Sequence, residues 1–425
     1  MSGEGRAATI AGAEFLADPR LARLFVAIEG KDETAWVVGG AVRDALLGLS
    51  VGEVDVATTA TPEVVTARAA AAGLKPVPTG VEHGTVTVVV DGRPFEVTTL
   101  RHDVETFGRR AVVAFGRDRM ADALRRDFTM NALYARLDGT VEDLVGGVED
   151  CRAGRVRFIG DADRRIAEDR LRILRFFRFH ATRGRGALDG EGFSAAIRAR
   201  DGLLDLSAER IARETEKLVV APGAPAVVAT MSDAGLLQRI LGRAADLAGF
   251  ARLHDFAAAV PIARDAAAVP LFLAGLACWT EVDALDLAAR LRLAHAVRDR
   301  MAAAVAAARR VPAEIGEVDL LGLLDRVGRA AGGDALALAV ARRRTDAATG
   351  ARALARLDGL EAPVLPVGGR DLLALGLSPG PQTGRVLAEL RAVWCASGFR
   401  SERFELLARA RKIIDQTRAD PPSGV

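Results

Sequence analysis

Two acids separated by one apolar residue, Glu53 and Asp55 in the run EVDVATT, are placed to share a cation. The alternation with valine predicts a β-strand, which would put both carboxylates on one face. Neighbouring anions repel unless a cation lies between them, and oxygen-only ligands suit Mg²⁺. A solvated strand end is the competing reading of any such pair. A third acid, Glu96 in FEVTTL, shares a face with Thr98 and opposes Val97 on another predicted strand. Upstream, Gly39 and Gly40 close the apolar run AWVV where a helix should begin. Glycines there let a phosphate approach the backbone, the helix start offers N–H groups, and Arg43 one turn in adds a charged fork. The same turn is also common as a purely structural connection. GGAVRD lacks the GxGxxG spacing, so a dinucleotide-binding fold is set aside. Carboxylates on adjacent strands beside a glycine turn fit two-metal phosphoryl transfer, in which one ion activates a hydroxyl and the other steadies triphosphate and leaving pyrophosphate.

A second constellation lies in EDRLRILRFFRF. On a helix, Asp169, Arg172, Arg175 and Arg178 spread over about half the circumference. Ile173, Leu174 and Phe177 cover much of the remainder, with Phe176 and Phe179 among the arginines. A merely solvated face does not interleave large aromatics in this way. Cytosine and adenine each present an exocyclic amino donor beside a ring-nitrogen acceptor. An Asp acceptor next to an Arg donor matches both, whereas guanine and uracil present a carbonyl and an N–H. The pair Asp169/Arg172 therefore predicts a choice of C and A made by protein, with no nucleic-acid template.

The elements that must position these residues follow from periodicity. A short amphipathic helix is expected within 10–30, then the strand AWVVGG and a helix AVRDALLGL whose Val42, Leu46 and Leu49 form one face. TPEVVTARAAAAG has helix-capping signals at both ends, and HGTVTVVVDGRPFEVTTL is a hairpin about Asp91-Gly92. The Arg-rich stretch 101–119 shows little periodicity and is expected to be a mobile loop. RRDFTMNALYAR starts another element, DGTVEDLVGG closes a small mixed α/β domain, and from Ile166 onward the pattern is helical. The SPGP turn (378–381) punctuates that region, with backbone amides that could meet an RNA phosphate. The final QTRADPPSGV is expected to be disordered.

Composition sets bounds. The chain has 425 residues, a formal charge of +2 and only four lysines, so its arginine abundance reads as compositional bias and only arginine placement counts. No apolar run approaches a membrane span, and MSGEGRAATIAGAEF lacks a signal sequence. Cys151, Cys278 and Cys395 are far apart without a CxxC pair, which suggests reduced thiols in a cytoplasmic protein and no zinc site. His254-Asp255 is an HD dipeptide without the further ligands a metal site needs and reads as a helix-surface accident. His83, His102, His180 and His295 have no visible partners.

The runs VVGGAVRDALLG, EVDVATTATPEVV, RRDFTMNAL and EDRLRILRFFRF together resemble the class II tRNA nucleotidyltransferase and bacterial poly(A) polymerase family. The similarity extends in order over 36–240, including LSAERIARETEKL and GLLQRIL, with a weaker echo in GGRDLLALGLSPGPQTGRVLAELR. The resemblance implies an α+β fold: a polymerase-β-like nucleotidyltransferase head over 1–155, then an all-α neck (156–240), body (241–345) and tRNA-binding tail (346–425). It implies that Gly40 and Arg43 hold triphosphate, Glu53 and Asp55 bind metal, Arg126 contacts the incoming nucleotide and Asp127 lies near its ribose. Asp169, Arg172, Arg175 and Arg178 match the nucleotide-reading helix. The implied activity is Mg²⁺-dependent addition of C, C and A to the 3′ end of tRNA from CTP and ATP. No membrane and no obligate protein partner are expected. Poly(A) addition is the alternative, since it shares the head motifs. A weakly catalytic RNA-binding relative is another, because Glu53 stands where the family has Asp. The extra methylene moves the carboxylate by about one C–C bond, and Mg²⁺ tolerates little geometric error.

Overall fold

Most β-branched runs of the first third pair into one seven-stranded sheet, and the aromatic-rich stretch after it folds into helices joined to it through a phenylalanine cluster. A computed structural model describes residues 8–80, 84–107 and 110–419. Contacts divide the chain into two units, Met1–Ile240 and Leu241–Val425.

The first unit begins with α1 (Pro19–Ile28), preceded by a short 3-10 turn and capped by Asp18, whose carboxylate accepts the Arg20 N–H. There follow β1 (Ala35–Val38), α2 (Gly40–Leu46), β2 (Asp55–Thr58), α3 (Pro62–Ala71), β3 (Lys75–Gly80), β4 (Thr85–Val90) and β5 (Arg93–Thr99). Next come β6 (Arg101–Phe107), β7 (Arg110–Phe115), α4 (Arg119–Arg125), β8 (Leu133–Ala135), β9 (Val141–Asp143) and α5 (Gly147–Ala153). Seven strands form one sheet in the order β3-β4-β5-β2-β1-β8-β9. The turn joining β4 and β5 has positive φ at both Asp91 (46°) and Gly92 (79°), the geometry that matches the twist of a two-residue hairpin. Alternation then sends Val86, Val88, Phe95 and Val97 into the core with Leu21, Leu24 and Phe25 of α1.

Three expectations need correction. The helix after the glycines stops at Leu46, so Leu49 does not join Val42 on its face and is exposed. Glu53 lies outside β2, on the irregular segment leading into it, so the strand argument that aligned it with Asp55 does not hold. Within the 101–119 stretch, where a loop was expected, the described residues Arg101–Phe107 and Arg110–Phe115 pair as the antiparallel strands β6 and β7. β-Branched and aromatic residue types favour strands, and the interspersed arginines hide that preference from a reading of alternation.

The remainder of this unit is α6 (Ala162–Glu168), α7 (Leu171–Arg183), α8 (Gly190–Arg198), α9 (Ala208–Val219), α10 (Ala224–Asp233) and α11 (Leu237–Leu241). Phe176 of α7 stacks on Phe158, centroids 5.5 Å apart, and Phe128 packs against Phe158 at 4.9 Å and Phe179 at 5.3 Å. This aromatic cluster fastens the helix to the sheet domain. Gly147 opens α5 against the 3-10 turn Thr129–Asn131, and a Cβ there would collide with the Thr129 carbonyl. Gly147→Ala is therefore expected to destabilise this unit by about 2–3 kcal/mol, read as a lowered thermal midpoint.

The second unit is helical: α12 (Leu247–Ala259), α13 (Val269–Ala277), α14 (Glu281–Leu291), α15 (His295–Ala308), α16 (Glu317–Ala341), α17 (Ala347–Gly359), α18 (Gly369–Ala374), α19 (Pro381–Ala396) and α20 (Arg403–Ala419). Every residue of α13 is buried, and Leu372, Leu390, Trp394, Leu406 and Ile414 form a separate cluster among the last helices. His254 is buried against Phe250 and Phe272, centroids 4.6 and 4.4 Å away, so the histidine of the HD dipeptide is a core residue and not a surface one. Residues 416–419 of the expected disordered end continue α20, while 420–425 and His83 lie outside the described residues. No single described helix is long and apolar enough to cross a membrane. All three cysteines are free thiols.

Candidate active site

Gly39 takes φ 66° and ψ −116°, a backbone that only glycine adopts readily, and this bend turns β1 into α2. Guanidinium groups face both glycines. A Cβ on Gly39 would lie 3.4 Å from Arg126 Nη1, and one on Gly40 would lie 3.7 Å from Arg43 Nη2. Side chains at either position would fill the space between backbone and cation. The result is a cradle for an anion.

The same cleft, about 660 Å³, is lined by Gly39, Gly40, Arg43, Asp55, Arg126, Asp127, Asp169, Arg172 and Arg175. That volume suits a nucleotide-sized ligand. Arg101, Arg125, Asn131 and Phe179 complete the lining. Nine residues selected from sequence thus converge here. Glu53, Glu96 and Arg178 do not line it.

The acid side is set by the sheet. Val38 of β1 pairs with Asp55, and β2 runs parallel to β5 with Val56 opposite Val97. Continuing that register one residue back sets Asp55 level with Glu96. Asp55 keeps an exposed side chain, yet partial loss of hydration in the cleft, then repulsion from Glu96 and Glu53, pushes its carboxyl above the usual range, against a smaller opposing pull from Arg126. An unbalanced anionic face of this kind fits a divalent cation. Among the described residues no group of three His, Cys, Asp or Glu side chains converges to cage a metal. A hard cation held by one or two carboxylates and completed by triphosphate and water matches that donor set.

Buried charges connect the rest. Arg43 Nε donates to Asp44 Oδ1 at 2.9 Å, and Asp44 also receives a two-pronged contact from Arg183 at 2.8 and 3.0 Å. Arg183 is the last residue of α7, so this pair clamps α7 to the glycine-turn helix α2. Burial raises the Asp44 carboxyl, but hydrogen bonds from Arg183 and Arg43 outweigh it and hold the group below its usual range. A depressed folded pKa stabilises the fold above the unfolded carboxylate pKa and is lost as pH falls through the folded value. Arg183→Met is therefore expected to lower stability near neutral pH and to flatten its decline below about pH 4. Thermal midpoints measured across that range check the sign.

Asp127 is also buried and held below its usual range: burial opposes this, but Arg175 and the amide of Asn131 prevail. Arg126 is gripped by Asp122, Nε to Oδ2 at 3.1 Å. On α7, Arg178 Nε meets Glu214 Oε2 of α9 at 2.5 Å, and its guanidinium lies 4.1 Å from the Phe179 ring centre. The same ring lies 5.3 Å from Arg175 and 5.4 Å from Arg43. Of the two phenylalanines set among the arginines, Phe179 lies against their guanidinium groups, whereas Phe176 packs into the aromatic cluster with Phe158 and Phe177.

Asp169 is not on the helix. It is extended, with φ −151° and ψ 108°, between α6 and α7. Its Oδ1 accepts the Leu171 N–H at 3.1 Å and its Oδ2 accepts Arg210 Nη2 at 2.8 Å. Asp side chains compete for nearby backbone N–H groups, and here that competition breaks a run that periodicity reads as continuous. Arg172 Nη1 reaches Glu168 Oε2 at 2.6 Å and the Arg165 carbonyl at 2.7 Å. Sequence reasoning missed Asp44, Asn131, Arg183, Arg210 and Glu214. Glu214 carried a signal, because it falls with Ile211, Thr215 and Leu218 on the buried face of α9, whereas Asn131 stands in a 3-10 turn that shows no helical period.

Residues 35–157 match the family described as Poly A polymerase head domain. The chain is 33% identical over 384 residues to the mitochondrial CCA tRNA nucleotidyltransferase 1 of Mus musculus, spanning 88% of this chain and 86% of that protein. It is 41% identical over 204 residues to the CCA-adding enzyme of Geobacillus stearothermophilus, spanning 48% of this chain and 49% of that protein. Its structure is similar to that of the Bacillus stearothermophilus CCA-adding enzyme in complex with CTP, with a TM-score of 0.73, 27% identity, and coverage of 95% of this chain and 98% of that one.

Proposed function

Because the chain belongs to the CCA tRNA nucleotidyltransferase family, we propose that the cleft beside Gly39 and Asp55 is where it adds C, C and A to the 3′ end of tRNA. The observation that supports this most is the anion cradle: two glycines faced by Arg43 and Arg126 in one cleft with Asp55. In the reaction, the terminal ribose 3′-oxygen attacks the α-phosphorus of CTP or ATP. A new O–P bond forms, the bond to the β-phosphate oxygen breaks, and pyrophosphate leaves.

The residues divide this work. The Gly39–Gly40 backbone and Arg43 receive triphosphate charge, and Arg126 flanks it from the other side. Asp127, held by Arg175 and Asn131, offers a fixed acceptor near a ribose hydroxyl. Asp169 and Arg172 at the start of α7 present acceptor and donor to the base edge. Phosphoryl transfer in this family uses a divalent cation; here Asp55 would hold a Mg²⁺, with Glu53 on the adjoining lead-in as its second carboxylate, and the ion would supply Lewis-acid activation of the hydroxyl and charge neutralisation.

The test is incubation with tRNA lacking its terminal CCA, labelled CTP and ATP. Incorporation of two C then one A is the expected product. Long A tails without C would overturn the CCA reading in favour of poly(A) addition. Glu53 lies exposed on an irregular lead-in, where a one-carbon difference can be absorbed by backbone adjustment. Glu53→Asp is therefore expected to change kcat by less than about tenfold. An inert parent with an active Glu53→Asp variant would make this chain an RNA-binding relative.

A further inference from the structure

A buried hydrogen-bonded chain runs from the glycine-turn helix to the base-side helix, and its middle member has no role in the reaction as described. Asn131 ends the 3-10 turn Thr129–Asn131 and is buried, at 8% exposure. Its Oδ1 accepts Arg43 Nη1 at 2.6 Å, and its Nδ2 donates to Asp127 Oδ1 at 3.0 Å. The other oxygen of Asp127 accepts Arg175 Nε at 2.8 Å. The orientation of the amide is dictated by its neighbours, because a guanidinium only donates and an ionised carboxylate only accepts. A side chain of this length with one acceptor and one donor is what the position requires. An acid would face Asp127 with a second anion, and an apolar residue would leave two buried charged groups each short of a partner.

Arg43 stands beside the glycine cradle, while Arg175 is on the helix assigned to the base. Both approach the single ring of Phe179, from 5.4 and 5.3 Å. We propose that Asn131 is a positioning residue that holds the triphosphate-side Arg43 and the base-side Arg175 in one register, through Asp127. The two ends of a bound nucleotide are then read at a set separation. The inference rests on the roles given above to Arg43 and Arg175. Misplacement of a reacting group by about 1 Å costs on the order of a hundredfold in rate, so such a link acts on kcat more than on binding.

The experiment compares Asn131→Leu and Asn131→Asp with the parent enzyme, using CTP and ATP on tRNA lacking its end, together with thermal midpoints. The expected result is a fall in kcat of about tenfold or more for both nucleotides, with KM changed by less than about threefold. A double-mutant cycle of Arg43→Lys and Arg175→Lys provides a readout that mere structural support would not move. Their effects on kcat/KM should be coupled in the parent and multiply independently in the Asn131→Leu background. Equal coupling in both backgrounds would overturn the proposal. So would an activity loss that disappears well below the variant's thermal midpoint. Should Asn131→Leu not fold, the cycle in Asn131→Asp, which preserves size and the Arg43 contact, decides the question. The coupling is read with whichever nucleotide is incorporated, so failure of the CCA reading leaves this test intact.

Discussion

Asp55→Asn is expected to lower nucleotide addition by about 10³-fold while leaving thermal stability unchanged or slightly raised. The two halves of this expectation share one cause. Asp55 sits level with Glu96 in the parallel β2–β5 register and near Glu53, and partial desolvation in the cleft together with their repulsion raises its pKa. A carboxyl raised in the fold binds its proton more tightly there than in the unfolded chain. Its ionisation therefore costs stability as pH rises through the interval between the two values. At neutral pH that cost is in full effect, and asparagine removes it while preserving shape. Asparagine also removes the anionic oxygen that a divalent cation needs. Activity against CTP and thermal midpoints, measured on the same preparations, test both halves. An unchanged rate would refute the acid assignment. A large loss of stability would mean that Asp55 is instead part of the structural support of β2.

The second large effect is expected at Asp169. Asp169→Ala should lower kcat/KM for CTP and ATP by about a hundredfold, the scale of one well-made bidentate base contact. UTP and GTP should lose far less, because the acceptor that disfavours them is gone, so discrimination collapses. Parallel losses for all four nucleotides would make Asp169 a structural tie to Arg210, with no part in reading the base. Arg210→Met serves as the companion variant. It removes the 2.8 Å contact to Asp169 Oδ2 while the Leu171 N–H still restrains Oδ1. It should thus loosen discrimination less than Asp169→Ala does.

Local chemistry decided a large part of this molecule before any folding was considered. The hairpin at Asp91-Gly92 and the strand-to-helix bend at Gly39 each follow from residues within a few positions of one another. The reason is that turn geometry and side-chain periodicity are short-range properties. The family motifs were legible for the same reason, being contiguous runs.

Where local rules competed, periodicity misread the outcome. Glu53 alternates as if on a strand but lies before β2, and Asp169 repeats as if on a helix but is extended at its start. Arginines masked the pairing of β6 with β7. Only tertiary structure could select the partners of the buried charges. Asp44 and Arg183 are 139 residues apart, Arg43 and Asn131 are 88 apart, and Arg178 and Glu214 are 36 apart. No periodicity extends over such separations. A buried guanidinium accepts any carboxylate or amide that the fold brings within reach, and which one arrives depends on how the sheet and α7 pack around the Phe128 cluster.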